Sequence, residues 1–308
     1  LAVWHLVVCS VALAQSNSNQ PVLSAQQRIA ATVGTLKIST NAAAGLLAKS
    51  LPNSVNAQPN PALLNVAVNQ LIDRAVVFEY LKSIDAVAGN NEIRLELEVF
   101  KSELATIEQT LEDHLDAVGQ TQQELEFEIS WRISWNRFLR QQLTNERLQT
   151  YFADHRRQFD DSEMRVAHLL LKPDENRSIA ETINHANGIL EDLNSNHISW
   201  SQAVAQHSAA PTRNQGGEIG WIKYSQPMPN EFSMAAFELQ PTEISQPIAT
   251  HFGVHLIKCL EIKEGKTGWR DALEELQRSA SIDLLQQITT DYRPKLTIEY
   301  GTGFQPTN

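Results

Sequence analysis

The stretch THFGVHLIKCLEI, residues 250–262, sets His251 and His255 four positions apart and follows them with Cys259. Three kinds of chemistry use such residues. Imidazoles and a thiolate bind a transition metal; a histidine activates a nucleophile; or imidazoles serve only as hydrogen-bonding groups that fix the shape of a pocket. In an extended strand, positions i and i+4 share a face, so a two-histidine metal edge is geometrically allowed. A zinc site, however, takes three or four protein ligands. No third ligand sits at a telling spacing, and neither HExxH nor CxxC occurs. A nucleophile elbow of the GxSxG type is absent, and EGKTG at 264–268 lacks the earlier glycine of a phosphate loop, so it is a linker. The expectation is no metal, no cofactor and an exposed His251.

The rest of the composition narrows the setting. With 308 residues, 42% hydrophobic, the chain can bury more than one core. A net charge of −11 without a Lys/Arg block argues against nucleic acid and against a polybasic membrane anchor. The first fourteen residues, LAVWHLVVCSVALA, end in an A-x-A pattern and read as a secretory leader, with Gln15 as the mature start. They are too short to span a bilayer, so no membrane span is expected in the mature protein. Cleavage there would leave Cys259 as the one thiol, set in an apolar run as a packing residue. The mature chain would fold without disulfides and act in the periplasm or outside the cell.

The elements that must position the histidines fall into two textures. Between the polar stretch 16–21 and the Pro/Asn-rich loop 52–61, RIAATVGTLKIST offers a short strand or two and NAAAGLLAKSL a helix. From Ala62 to about Asp160 there is no proline, and glycine occurs only at 89 and 119. Long helices follow, with breaks near 88–91 and 118–121. Residues 124–139, ELEFEISWRISWNRFL, fit both a half-buried strand and a helix, as do 91–100; as a helix, 124–139 is apolar nearly all round. That implies burial on several sides or an exposed aromatic stripe, and burial is the ordinary case. After Ser162 the pattern becomes β-α-α-β-α-β: MRVAHLLLK, helices at SIAETINHANGILEDLN and SWSQAVAQHSA, strand GGEIGWIK, helix MPNEFSMAAFEL and strand THFGVHLIKCLEI. A last amphipathic helix ends at Pro294, and KLTIEY follows as a strand; a lone helix and strand cannot bury their own faces, so both are expected to pack on the N-terminal lobe and complete it.

Four pieces of this second region occur in an order and spacing that resemble the parvulin peptidyl-prolyl isomerases: VAHLLLK, GGEIGW, PMPNEFSMAAFEL and ISQPIATHFGVHLIK. The resemblance covers 163–264. It implies an α+β fold, a four-stranded antiparallel sheet with surrounding helices, joined to a mainly helical chaperone-like lobe. The layout of the flanking segments resembles exported foldases of the SurA/PrsA type. The implied divisions are a leader at 1–14, the lobe at 15–162, the parvulin domain at 163–264 and a returning helix and strand at 265–308.

The same resemblance assigns residues. The paired histidines of the family fall on His168 and His255, supported by a threonine at Thr250. The proline pocket falls on Ile219, Met228 and Phe232, with Phe252 at its edge; without the resemblance, Met228 and Phe232 would read as core. The implied activity is cis/trans isomerisation of Xaa-Pro bonds in unfolded polypeptide clients. Members that require a phosphate before proline carry a basic loop after the first strand. Here that loop is KPDENR, with acids between Lys172 and Arg177, so no phosphate requirement is expected. One departure stands out: where the family often has Cys or Asp, this chain has Ala210, with Ser208 as the nearest hydroxyl. That departure keeps a second reading open, a holdase chaperone with a weakly active or inactive parvulin domain. No feature of the sequence sets an oligomeric state.

Overall fold

The computed structural model describes residues 28–50, 60–174, 177–225 and 227–306. The leader reading at 1–14, the polar stretch 16–21 and most of the 52–61 loop lie outside them. The chain forms two units, one from Leu1–Thr144 with Ser279–Asn308 and one from Asn145–Arg278.

In the first unit, RIAATVGTLKIST is a hairpin of β1 (Ile29–Val33) and β2 (Leu36–Ser39), turning at Gly34 with φ +57°. Helix α1 (Thr40–Ser50) follows, and α2 (Pro61–Ser83) starts where Pro61 needs no N–H partner and Asn60 accepts the Ala62 N–H. Helices α3 (Asn90–Ala105), α4 (Leu111–Val118) and α5 (Gln122–Gln142) complete the run. Gly89 precedes α3, and Gly119 ends α4 in the left-handed conformation. The break at 106–110 carries no glycine; Thr110 and Asp113 cap each other's backbone N–H there.

Both ambiguous segments are helices. On α5, Leu125 and Ile129 pack with Leu97, Phe100 and Leu104 of α3, while Phe138, Trp131 and Trp135 pack with Val77 and Leu81 of α2. The helix therefore has two cores on different sides, which is why its apolar residues spread around the wheel. Trp131 stacks on Trp135 and Trp135 on Phe138. The aromatic run is packing.

The second unit opens with α6 (Asn145–Asp154) and the short α7 (Arg156–Phe159), then β3 (Glu163–Leu171), α8 (Ile179–Asn194) and α9 (Trp200–His207). A 3₁₀ turn at Pro211–Gln215 leads to β4 (Glu218–Lys223), α10 (Asn230–Phe237), β5 (Ile248–Thr250) and β6 (Gly253–Lys263). The sheet order is β4-β3-β6-β5, antiparallel throughout. The stretch read as one strand from Thr250 is two, because the chain reverses at His251 and Phe252 between Thr250 and its partner Gly253. Strand β3 is buried over nearly its whole length because both of its faces are covered. Leu169 and Leu171 meet Ala186, Ile189, Ala203 and Val204 of α8 and α9; Met164 and Val166 meet Phe232 and Ala236 of α10. The alternation of side chains along the strand separates these two cores.

The last elements are α11 (Leu273–Tyr292) and β7 (Ile298–Tyr300). Strand β7 pairs with β1, giving the first unit a sheet of order β2-β1-β7.

Candidate functional site

His168 sits on the β3 face that turns toward α10, in step with Met164 and Val166, and His255 shares that face with Ile257 and Cys259 of β6. In the β3–β6 ladder His168 lies opposite Ile257, and His255 lies opposite Leu170. The two histidines are thus diagonal neighbours, a spacing that long side chains bridge. Their Nδ1 atoms are 3.1 Å apart, with rings stacked at 21°. On its other side the His255 Nε2 is 2.9 Å from the Thr250 hydroxyl, and that hydroxyl accepts the Phe252 N–H at 3.1 Å. The hairpin turn so ties β5 to the ring on β6. His251 lies in this turn, exposed, against the Phe252 ring; it is not on the strand with His255.

Both paired imidazoles are buried, His168 at 8% and His255 at 2% exposure. Burial pulls each from its ordinary value down to about 4, with the neighbouring His168 and His251 adding to the effect on His255. Both rings are neutral near pH 7. A neutral pair needs one Nδ1 to donate and the other to accept. The site is a polar, uncharged string set in an apolar wall.

That wall is the α10 core. The Phe232 ring stands edge-on to both imidazoles, at 6.0 Å from His168 and 5.4 Å from His255. Ile219 of β4 and Met228, two residues before α10, are partly buried against the same cluster. The sequence-assigned residues His168, His255, Thr250, Phe232, Ile219 and Met228 therefore converge on one side of the sheet. Phe252 is the exception: its side chain is 54% exposed on the turn, and it meets the string through its backbone N–H. Among the described residues, no group of three or more His, Cys, Asp or Glu side chains is placed to hold a metal ion.

Two contacts near the pair are not readable from residue types alone. Ser208 is buried, and its hydroxyl accepts the N–H groups of Leu170 and Ala210, both at 3.2 Å. Gly253, at φ +136°, lies where a Cβ would come within 2.4 Å of the Leu171 carbonyl oxygen. A glycine opening a strand is the only sequence signal for such an approach.

Residues 168–261 match the family model described as Rotamase, the PPIC-type PPIASE domain. The chain carries a parvulin-type rotamase domain. Over 97 residues it is 33% identical to the Chaperone SurA of Cupriavidus metallidurans, covering 32% of this chain and 19% of that protein. The Chaperone SurA of Bordetella parapertussis is 32% identical over 118 residues, 38% of this chain and 22% of that one. The matched stretch spans about a fifth of the length of these curated relatives. Among solved structures, a PpiC-type peptidyl-prolyl cis-trans isomerase domain is 24% identical, covering 36% of this chain and 99% of its own at a TM-score of 0.32. The peptidylprolyl isomerase PrsA of Bacillus anthracis is 18% identical, covering 78% and 99% at 0.38. The rotamase domain rests on its sequence match and on the sheet and site described above. No helix among the described residues is long and apolar enough to cross a membrane.

Proposed function

We propose that this protein accelerates cis/trans isomerisation of Xaa-Pro bonds in exported, unfolded polypeptides, with no phosphate required before the proline. The observation that carries this reading is the neutral His168–His255–Thr250 string lying edge-on to Phe232, beside Ile219 and Met228. Rotation about the bond faces a barrier of about 18–20 kcal/mol from amide resonance, and uncatalysed exchange takes on the order of tens to hundreds of seconds. No covalent bond has to form or break. An apolar wall that seats the prolyl ring strips water from the carbonyl and disfavours the planar, charge-separated amide. A fixed imidazole N–H or hydroxyl beside it favours the twisted amide and lowers the barrier through differential binding. The depressed pKa of both imidazoles supports a role as oriented neutral groups rather than as a charged acid. The apolar leader-like stretch at 1–14 supports export, and the acids within the loop after β3, between Lys172 and Arg177, support an unphosphorylated substrate.

A holdase role with a slow rotamase domain is the second reading. Ala210, buried and apolar where parvulins often carry Cys or Asp, favours it, as does the name of the curated relatives. The deciding experiment is exchange NMR of a Xaa-Pro peptide with the full chain, beside His168→Ala and Met228→Ala. Accelerated exchange that falls on the order of ten-fold or more in both variants supports the isomerase. Absence of acceleration by the folded wild type removes it and leaves the holdase.

A further inference from the structure

Strand β3 loses its regular partner just before the candidate site. The β3–β4 ladder ends at Ala167 opposite Glu218, after an irregularity in register at Val166 and Ala167. Beyond that point the outer backbone edge of β3 would stand unpaired, although it is buried. A different segment takes over. The His168 N–H donates to the Gly217 carbonyl at 2.8 Å, the Leu170 N–H to the Ser208 hydroxyl, and the Leu170 carbonyl accepts the Ala209 N–H at 2.7 Å. The loop from Ser208 to Gly217 thus acts as a substitute strand edge along His168–Leu170.

Its contact with His168 has no slack. Gly217, at φ +79°, lies so close that a Cβ there would be 2.2 Å from the His168 carbonyl oxygen and 3.1 Å from its carbonyl carbon. Neighbouring Gly216 has a similar positive φ of +67° but meets nothing within 4 Å. The two glycines face the same conformational demand and only one faces a steric demand. Ser208 is fixed from the far side, since its hydroxyl also accepts the Ala210 N–H.

We propose that Gly217 and Ser208 are positioning residues, whose loop sets the height of the His168 backbone and so the contact of its ring with His255. The inference rests on the rotamase reading for its consequence in activity, though the geometry it asserts is independent of that reading. It also gives Ser208 a duty different from that of a pocket-facing polar group: the hydroxyl holds backbone.

The test uses the full chain with ¹⁵N-labelled histidine. Imidazole resonances of His168 and His255, assigned with single His→Asn variants, are compared in wild type, Gly217→Ala, Ser208→Ala and Gly216→Ala, with Xaa-Pro exchange measured in parallel. The expected result is displaced His168 ring resonances in Gly217→Ala and Ser208→Ala, with wild-type resonances in Gly216→Ala. Exchange should fall on the order of ten- to a hundred-fold in Gly217→Ala, the scale of small misplacements in preorganised sites. Peptide affinity should change much less. If Gly217→Ala fails to fold, Ser208→Ala decides, since deleting one buried hydroxyl inserts no atom. Folded variants that keep wild-type imidazole resonances overturn the proposal whatever their rates. A wild type that does not accelerate exchange overturns the isomerase reading instead, and the resonances still decide the positioning.

Discussion

At the residue scale, the candidate site is a string of hydrogen bonds in which His255 is held from both sides, by His168 and by Thr250. The Thr250 hydroxyl holds the His255 ring and is itself fixed by the Phe252 N–H. Thr250→Val keeps the shape and removes the hydroxyl, so the His255 ring loses a partner in a buried place. A loss of about 1–2 kcal/mol in urea-unfolding stability is expected, with a several-fold fall in Xaa-Pro exchange. An unchanged exchange rate in the folded variant would remove Thr250 from the site. His168, His255 and Thr250 were legible because their types stand in a recognisable motif, whereas the diagonal offset of the two rings comes from strand register, which residue spacing does not encode. Phe252 falls at the pocket's edge by resemblance, whereas in the fold its ring is exposed and its backbone N–H meets the Thr250 hydroxyl. Gly217 shows the opposite failure. It stands in a visible GG pair, yet the demand on it comes from His168, far earlier in the chain, and arises only where two chain segments meet.

At the element scale, the joining of β7 to β1 is secured by polar groups that also span helix α2. Arg293 donates to Asp73 at 3.0 Å and to the Tyr300 hydroxyl at 2.7 Å; Tyr300 donates to Asn69, whose amide reaches the Gln305 carbonyl. Asn69 is buried in α2, and burial raises the Asp73 carboxyl above its ordinary value despite the opposing pull of Arg293. Tyr300→Phe breaks this chain at its middle and leaves Asn69 and Arg293 each short of a partner. A destabilisation of about 1–3 kcal/mol follows, read as a lower denaturation midpoint with unchanged slope. A midpoint equal to wild type would mean that β7 is held by its ladder and apolar contacts alone. Composition revealed that a terminal strand cannot bury its own faces, but not which strand it joins. The same limit explains α3 and α5. An alternating run such as EFEISWRISW satisfies both periods, and only the two cores on either side of α5 decide for the helix. The hairpin at His251–Phe252 was missed for a related reason, since Gly253 there reads equally as a weak point inside one long strand.

At the scale of the whole molecule, the two units differ in how they answer to acid. The described histidines with lowered pKa values are His168, His185 and His255, and all three lie in Asn145–Arg278. An imidazole held near 4 in the folded chain and near 6.5 in the unfolded chain costs nothing above about pH 6.5. As the pH falls below that, the unfolded state takes up a proton that the folded state refuses, and stability is lost until the pH passes about 4. At pH 5 the loss is about 2 kcal/mol for each ring of the pair. The carboxyls whose pKa values are lowered work in a lower window. Glu92, Asp113 and Glu181 are held below their ordinary values by hydrogen bonds, Glu92 first by Arg137, Asp113 by Thr110 and Glu181 by Ser178. Their contribution stays intact above the ordinary carboxylate range of about 4 and is lost only as the pH falls through it. Between pH 7 and 5 the penalty therefore falls on the sheet that carries the site. Hydrogen exchange at the two pH values, corrected for intrinsic rates, should show amides of β3 and β6 losing protection by on the order of 2–4 kcal/mol, while those of α2 stay protected. Equal loss in both units would mean that they open together; no loss in β3 and β6 would mean that the two rings titrate freely and the pair is not buried as described. The expected outcome ties the reach of the proposed activity to pH, because the neutral string that would serve a twisted amide is also the part of the fold that acid undermines first.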